Sequence, residues 1–252
     1  MMKKIIVNAD DFGINEIVTS EIERMIEKGC VTSTTVMANG KCLDEVKRFA
    51  SLHPEVSFGV HLCLSEFDSI TKSEGLFRAG LTNENGGFIK KAIFDLNNLK
   101  DTEVQRAIIE ELNAQIEVVK ALNIPVSHAD SHHHVHTIYP LRNVFVSVLK
   151  KQGIGKIRLG ADYALHSRLH VRGWLHREWL NRLYKKNFIT ADTFSSYACY
   201  MKGVFKCERE NVVELMCHPG HPAEHYQREM RLVQECAVKK SKDIQFISYL
   251  DI

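Results

Sequence analysis

Ile5-Ile6-Val7-Asn8-Ala9-Asp10-Asp11-Phe12-Gly13, close to the N-terminus, is the stretch whose reading decides the fold. Three consecutive β-branched residues read as a strand covered on both faces, as in a parallel sheet packed against helices. Two adjacent carboxylates and a glycine then end the run, where a strand gives way to a loop. Paired acids are a poor way to build a core, so the strand end reads as the start of a polar site. Successive strand residues point to opposite faces. Asp10 and Asp11 therefore serve different purposes unless the chain turns there, a turn that Gly13 permits. One acid would hold a cation while its neighbour handles a proton. The alternative is that one Asp caps the following helix, expected over residues 16–27.

Working outward, helical spacing in residues 14–28 ends at Gly29, and a β-branched run at 31–37 gives a second strand. A helix over 42–52 is broken by His53-Pro54, and a third strand over 56–62 carries His61 at its far end. Residues 65–99 read as a long loop, which in an enzyme is usually a lid or a substrate wall. Apolar residues Val104, Ile108, Leu112, Ile116 and Val119 predict a helix over 102–122, followed by a strand over 124–127. A helix over 141–152 and a short strand over 156–159 come next. Residues 161–210 show a helix around 174–185 and no clear strand. A strand over 212–217 ends at His218-Pro219-Gly220, then a helix over 226–239 and a strand over 244–250 close the chain. The alternation predicts one α/β domain over 1–252, a TIM-like (β/α) barrel of seven strands with loop elaborations at about 65–100 and 161–210.

Composition narrows the function. The 252 residues carry 33 basic and 31 acidic side chains, a formal net charge of +2, so no strong field draws nucleic acid or an anionic membrane. No apolar run approaches the roughly 18 residues that span a bilayer. The seven cysteines, an odd number without C-x-x-C spacing, predict free thiols in a reducing cytoplasm. Cys63 and Cys217 read as small core hydrophobes. Whether copies associate into a homo-oligomer is left open. The anomaly is histidine, since five of the thirteen lie between 128 and 136.

Parallel strands bring their C-terminal ends to one face, so Asp10, Asp11, His61, the cluster after Ser127 and His218 converge, although they are up to about 200 positions apart. Two imidazoles and a carboxylate make three protein ligands for a divalent ion and leave room for water and substrate. Within His128-Ala-Asp-Ser-His-His-His-Val-His136, an extended chain separates His128 and His132 by about 13 Å, too far to share an ion. His132 is then the better single ligand, and Asp130 an acid that supports a ligand or touches substrate. Most of the other cluster histidines read as solvated loop residues. Arg158, at a strand end on the same face, reads either as a substrate contact or as an ion-pair partner.

With these residues in hand, the chain resembles the YdjC/ChbG-like carbohydrate deacetylases, distant relatives of the polysaccharide deacetylases. The matching motifs are Val7-Asn-Ala-Asp-Asp-Phe-Gly13, Val31-Thr-Ser-Thr-Thr35 with Asn39-Gly40, Gly59-Val-His61, His128 to His136 and Met216-Cys-His-Pro219. The resemblance implies a barrel of the glycoside hydrolase/deacetylase type and removal of N-acetyl groups from sugars such as chito-oligosaccharides. It also implies one divalent metal, described as Mg²⁺ in that family, although two imidazoles suit Zn²⁺, Co²⁺ or Ni²⁺ better. Carried over by motif, Asp11, His61 and His132 bind the metal and Asp10 is the base. His218 is expected to protonate the departing amine as a metal-activated water attacks. The rivals are a metal-dependent hydrolase of a phosphoester or glycoside, and a sugar-binding protein without catalysis.

Overall fold

The computed structural model describes residues 2–160, 171–202, 211–240 and 243–252. The quoted stretch lies in β1 (Lys3–Phe12), the spine of a seven-stranded sheet. After it come α1 (Glu16–Glu27), β2 (Ser33–Val36), α2 (Leu43–Leu52) and β3 (Ser57–Leu62). The chain continues through α3 (Glu74–Arg78), α4 (Thr102–Ala121), β4 (Ala129–Ser131), α5 (Arg142–Lys151) and α6 (Val171–Asn187). It ends with β5 (Thr193–Ser196), α7 (Tyr197–Met201), β6 (Val212–Cys217), α8 (Glu224–Gln234) and β7 (Ile244–Ile247).

Helices α1 and α4 form where the apolar period predicts them, whereas α3 falls within the stretch expected as a long loop. α1 turns Val18, Ile22, Met25 and Ile26 inward, and α4 does the same with Val104, Ile108, Leu112, Ile116 and Val119. Each such side chain, fully buried, contributes roughly 1.5–3 kcal/mol. The cap of α1 is Asn15, whose side-chain oxygen accepts the Val18 N–H at 3.0 Å. Neither aspartate is used as a cap, which leaves both for the strand end.

All the strand pairings are parallel, in the order β4-β3-β2-β1-β6-β5, with β7 beside β1. The sheet curls into an open half-barrel and does not close into the TIM-like barrel expected. Two features keep it open. β7 pairs with Lys3–Ile6 of β1 on the edge that β2 takes higher up, over Asn8–Phe12, so β1 and β2 splay apart at their base. At the far side, β4 and β5 do not pair; residues 155–158 lie between them and make single bridges only, Ile157 to Ala129 and Lys156 to Ile189. A closed barrel needs continuous ladders with a regular stagger all the way round.

Other differences are local. The fourth strand lies at Ala129–Ser131 and not at 124–127, so His128 precedes it, Asp130 is within it and His132 follows it. Thr193-Phe-Ser-Ser196 is a strand that lacked the aliphatic run by which the others were read. The expected elaboration over 161–210 falls partly outside the described residues. Cys30, after α1, and Cys236, after α8, are joined in a disulfide with their Cα atoms 5.0 Å apart. That pairing corrects the expectation of free thiols throughout and removes its argument for a reducing compartment. Cys42, Cys63, Cys199 and Cys217 are free, and Cys207 lies outside the described residues. Among the described residues no helix is long and apolar enough to cross a membrane.

Candidate metal centre

The turn that the paired acids required is built into β1 itself. Between Ala9 and Phe12 the ladder advances three residues on β1 while β2 advances two, Thr34 to Val36, which is a β-bulge. Asp11 takes up the extra residue with φ 70°, a left-handed conformation that costs a non-glycine residue energy but is tolerated by Asp. Both acids are thereby buried at the top of the sheet.

Asp11 Oδ1 lies 3.2 Å from His61 Nε2, at the end of β3, and 2.9 Å from His132 Nδ1, just past β4. The ligand atoms of these three residues lie within 4.8 Å of one another. Each ring is held from behind. His61 donates Nδ1–H to Asp130 Oδ1 at 2.6 Å, and His132 donates Nε2–H to Glu66 Oε2 at 3.2 Å. With those protons committed, the rings in their neutral form would turn two nitrogen lone pairs toward the side on which the Asp11 oxygen lies. That donor set fits a divalent cation, and the supporting carboxylates are the partners that metal-bound histidines generally have.

The charge balance agrees. Asp10, Asp11, Asp130 and Glu214 are all buried here, and Arg158 is the buried guanidinium among them. Burial alone would lower the pKa of His61, but the charge of Asp130 and hydrogen bonds to Asp11 and Asp130 raise it well above the usual histidine value. Asp11 responds in the opposite sense. Burial would raise its carboxyl, and hydrogen bonds and charge from His132 and His61 hold it well below the carboxylate range. Two other groupings have ligand spacing, but each already holds a cation. Asp10 and Asp130 of the first pair with Arg158, while Glu66 and His133 of the second meet the Lys90 ammonium at 2.6 and 3.1 Å.

One Asp10 oxygen lies within 4.8 Å of a ring nitrogen of His61. Arg158 grips both Asp10 oxygens at 2.6 and 2.7 Å, and Asn8 donates to Oδ1 at 2.9 Å. Burial would raise this carboxyl, but the charge and hydrogen bonds of Arg158 win and keep it ionised far into acid. Arg158 also meets Asp130 Oδ2 at 2.6 Å and Glu214 Oε1 at 2.7 Å, and none of it is exposed. Of its two readings, the ion-pair partner describes this geometry. Asp130 is likewise sealed off behind His61, with Thr35 donating to its second oxygen at 3.2 Å.

His128 sits in the core, apart from the Asp11 set. Its ring stacks on Tyr249 at 3.8 Å, meets Ser127 Oγ through Nδ1, and donates Nε2–H to Asn8 Oδ1 at 3.1 Å. The ring also explains Gly59 in the Gly59-Val-His61 motif, because a Cβ there would come within 2.6 Å of it. His218, after β6, packs against Tyr226 at 4.3 Å and donates to Glu229 Oε1 from its backbone N–H, with Nδ1 3.3 Å from the same oxygen. Burial lowers its pKa, but Glu229 and the charges of Asp10 and Asp11 raise it overall.

Sequence reading missed Glu66 and Glu229. Glu66 lies in an aperiodic loop held by Asn39, which donates to the carbonyls of Glu66 and Asp68 at 3.5 and 3.2 Å. Glu229 looked like any other acid on a surface helix.

The open parallel half-barrel gathers at its strand ends an Asp/His/His set, backed by carboxylates, that could hold a divalent cation. The model of the YdjC-like protein family matches residues 4–247, and the chain belongs to that family. Among curated relatives, a carbohydrate deacetylase of Vibrio parahaemolyticus is 30% identical over 86% of this chain and 78% of its own length. A chitooligosaccharide deacetylase of Klebsiella pneumoniae is 26% identical over 87% of this chain and 82% of its own. In three dimensions the chain is similar to an Enterococcus faecalis protein provisionally assigned to cellobiose-phosphate cleavage. That protein has TM-score 0.72 and 23% identity, with 100% of this chain and 99% of the other covered, a likeness of fold.

Proposed function

We propose that this protein is a metal-dependent carbohydrate deacetylase that hydrolyses the N-acetyl group of an acetylated sugar or chito-oligosaccharide. The observation that carries the reading is the convergence of Asp11, His61 and His132, whose ligand atoms lie within 4.8 Å of one another, in a chain whose relatives are named carbohydrate deacetylases. Asp11, His61 and His132 would hold the ion. A divalent cation bound there supplies Lewis acidity toward a water and the acetamide carbonyl. The two imidazoles favour Zn²⁺, Co²⁺ or Ni²⁺ over the Mg²⁺ that family resemblance implies.

The remaining chemistry belongs to the chain. Asp10 takes the proton of the attacking water, and Arg158 keeps it ionised and aimed, since both its oxygens are located by the guanidinium. His218, drawn toward protonation by Glu229 and Asp10, gives a proton to the departing amine. Asp130 and Glu66 fix the ring orientation of His61 and His132.

Acetate release from N-acetylglucosamine and its oligomers, with and without chelator, tests this function. Chelator-sensitive release supports it. Phosphate or glycosidic cleavage without acetate release would overturn it, as would sugar binding without turnover in metal-loaded protein. Elemental analysis of protein purified without added metal identifies the occupant.

A further inference from the structure

His134 belongs to the histidine cluster but not to the donor set, and it is held unlike its neighbours. Both His133 and His134 have left-handed backbone, φ 51° and 53°, immediately after the ligand position His132. Two consecutive non-glycine residues in that region cost energy that regular structure does not repay here, and such strain gathers at functional sites. The kink sends consecutive rings in different directions. His133 is anchored by Ser65 at 2.8 Å, and His136 by Ser131. His134 has no such anchor. Its Nδ1 is buried without a hydrogen-bond partner.

The ring is nevertheless firmly placed. It lies edge-on to Phe194, with centroids 5.6 Å apart, and edge-on to His136 at 6.2 Å. Phe194 in turn lies under the Arg158 guanidinium, 4.7 Å from its centroid. His134 is therefore one ring removed from the arginine that grips Asp10. His136 also leaves a nitrogen unpaired, Nε2, but that residue is wholly enclosed, whereas His134 is partly open. A buried polar atom left without a partner is unfavourable, and a ligand that supplies the partner recovers that loss.

We propose that His134 is a substrate-binding residue whose imidazole hydrogen-bonds the bound sugar next to its acetamido group, between Asp10 and His218. This rests on the deacetylase reading and adds to it a specificity contact outside the metal set. The imidazole needs no change of charge to act as donor or acceptor.

The test uses His134→Phe, which keeps the ring packing on Phe194 and His136 but removes both nitrogens, and His134→Asn, which suits the left-handed backbone but shortens the reach. Both are assayed on N,N′-diacetylchitobiose, with metal content and Tm measured alongside. Each variant is also combined with Asp10→Asn, and the affinity for the intact sugar is measured calorimetrically, so that binding is read apart from chemistry. The expected result is a KM and Kd raised about tenfold or more, with metal stoichiometry unchanged and the Tm of His134→Phe equal to or above that of the wild type. A fall in Tm or metal content with unchanged Kd would make His134 structural and overturn the inference. So would unchanged KM and Kd in an active His134→Phe enzyme, whose buried nitrogen would then be served by water. Wild-type protein that neither binds nor deacetylates the sugar would overturn the functional reading and this inference together, a result distinct from either of the others.

Discussion

His61 donates its Nδ1–H to Asp130 Oδ1 at 2.6 Å, on the ring edge opposite the Nε2 that faces Asp11. That bond selects the tautomer whose free lone pair points at the metal position. Asp130→Asn, nearly the same size, weakens the acceptor and loosens the tautomer. Metal affinity is expected to fall about 10–100-fold, read by competition with a chromophoric chelator. Unchanged affinity would mean that the bond is incidental to the ion.

Arg158 pairs with Asp10, Asp130 and Glu214 and has no exposed surface. Arg158→Leu leaves buried carboxylates without their counter-charge, a change that costs about 3–5 kcal/mol. For a chain of this size Tm should drop by about 10 °C, seen by calorimetry. A variant with wild-type Tm and a raised KM would return Arg158 to the substrate-contact role.

The neighbouring acids separate by readout. Asp11→Asn should lose metal and activity together. Asp10→Asn keeps the metal set intact and should lose about a hundredfold or more in turnover, the scale of a removed general base. Elemental analysis beside acetate-release kinetics distinguishes the two. Reversal of the pattern exchanges their roles.

Metal binding and protonation compete at His61. The charge of Asp130 and hydrogen bonds to Asp11 and Asp130 raise its pKa, and a proton on Nε2 would compete with an ion for the same lone pair. Metal affinity should therefore rise with pH through the region above about 6.5, the ordinary histidine value, and flatten once pH passes the raised pKa. Calorimetry at pH 7 in two buffers of different ionisation enthalpy should report proton release on binding. Identical apparent enthalpies would refute the competition.

His218 acts as an acid only while protonated, and Glu229 helps to raise its pKa. Amide turnover should decline on the alkaline side as His218 loses its proton. Glu229→Gln still accepts the His218 backbone N–H but removes the charge, so that decline should begin about one pH unit lower. An acetate ester of similar shape, whose leaving group needs less help, should show little change. Equal shifts on amide and ester, or none on either, would take His218 out of the proton-transfer step.

Much of this site was legible along the chain because a parallel sheet sends every C-terminal strand end to one face. Asp11, His61 and His132 needed only that rule and the extended reading around His132 to be placed together. Asp130 was left between supporting a ligand and touching substrate; the structure buries it behind His61, whose Nδ1–H it accepts. Its neighbour Arg158 stayed ambiguous, because burial of a strand-end residue depends on what covers it, and Glu214 and Asp10 come from strands far away in sequence. Glu66 and Glu229 carried no periodic signal. β4 was misplaced because Ala129-Asp-Ser131 is too short and polar to look like a strand.

By itself the sequence determined the alternation of strands and helices, the faces that are buried and the polar residues that terminate each strand. These follow from local periods of two and 3.6 residues and from turn chemistry, all within a dozen positions. Only the tertiary structure decided that the sheet stays open, that Asp11 occupies a bulge, that Cys30 meets Cys236 and that Arg158 is buried among three acids. Each of these depends on edges, register and charge brought together across scores of residues. The β7 strand shows the reason: whether it takes the lower edge of β1, and so prevents closure, is a competition between two complete pairings that no local pattern encodes.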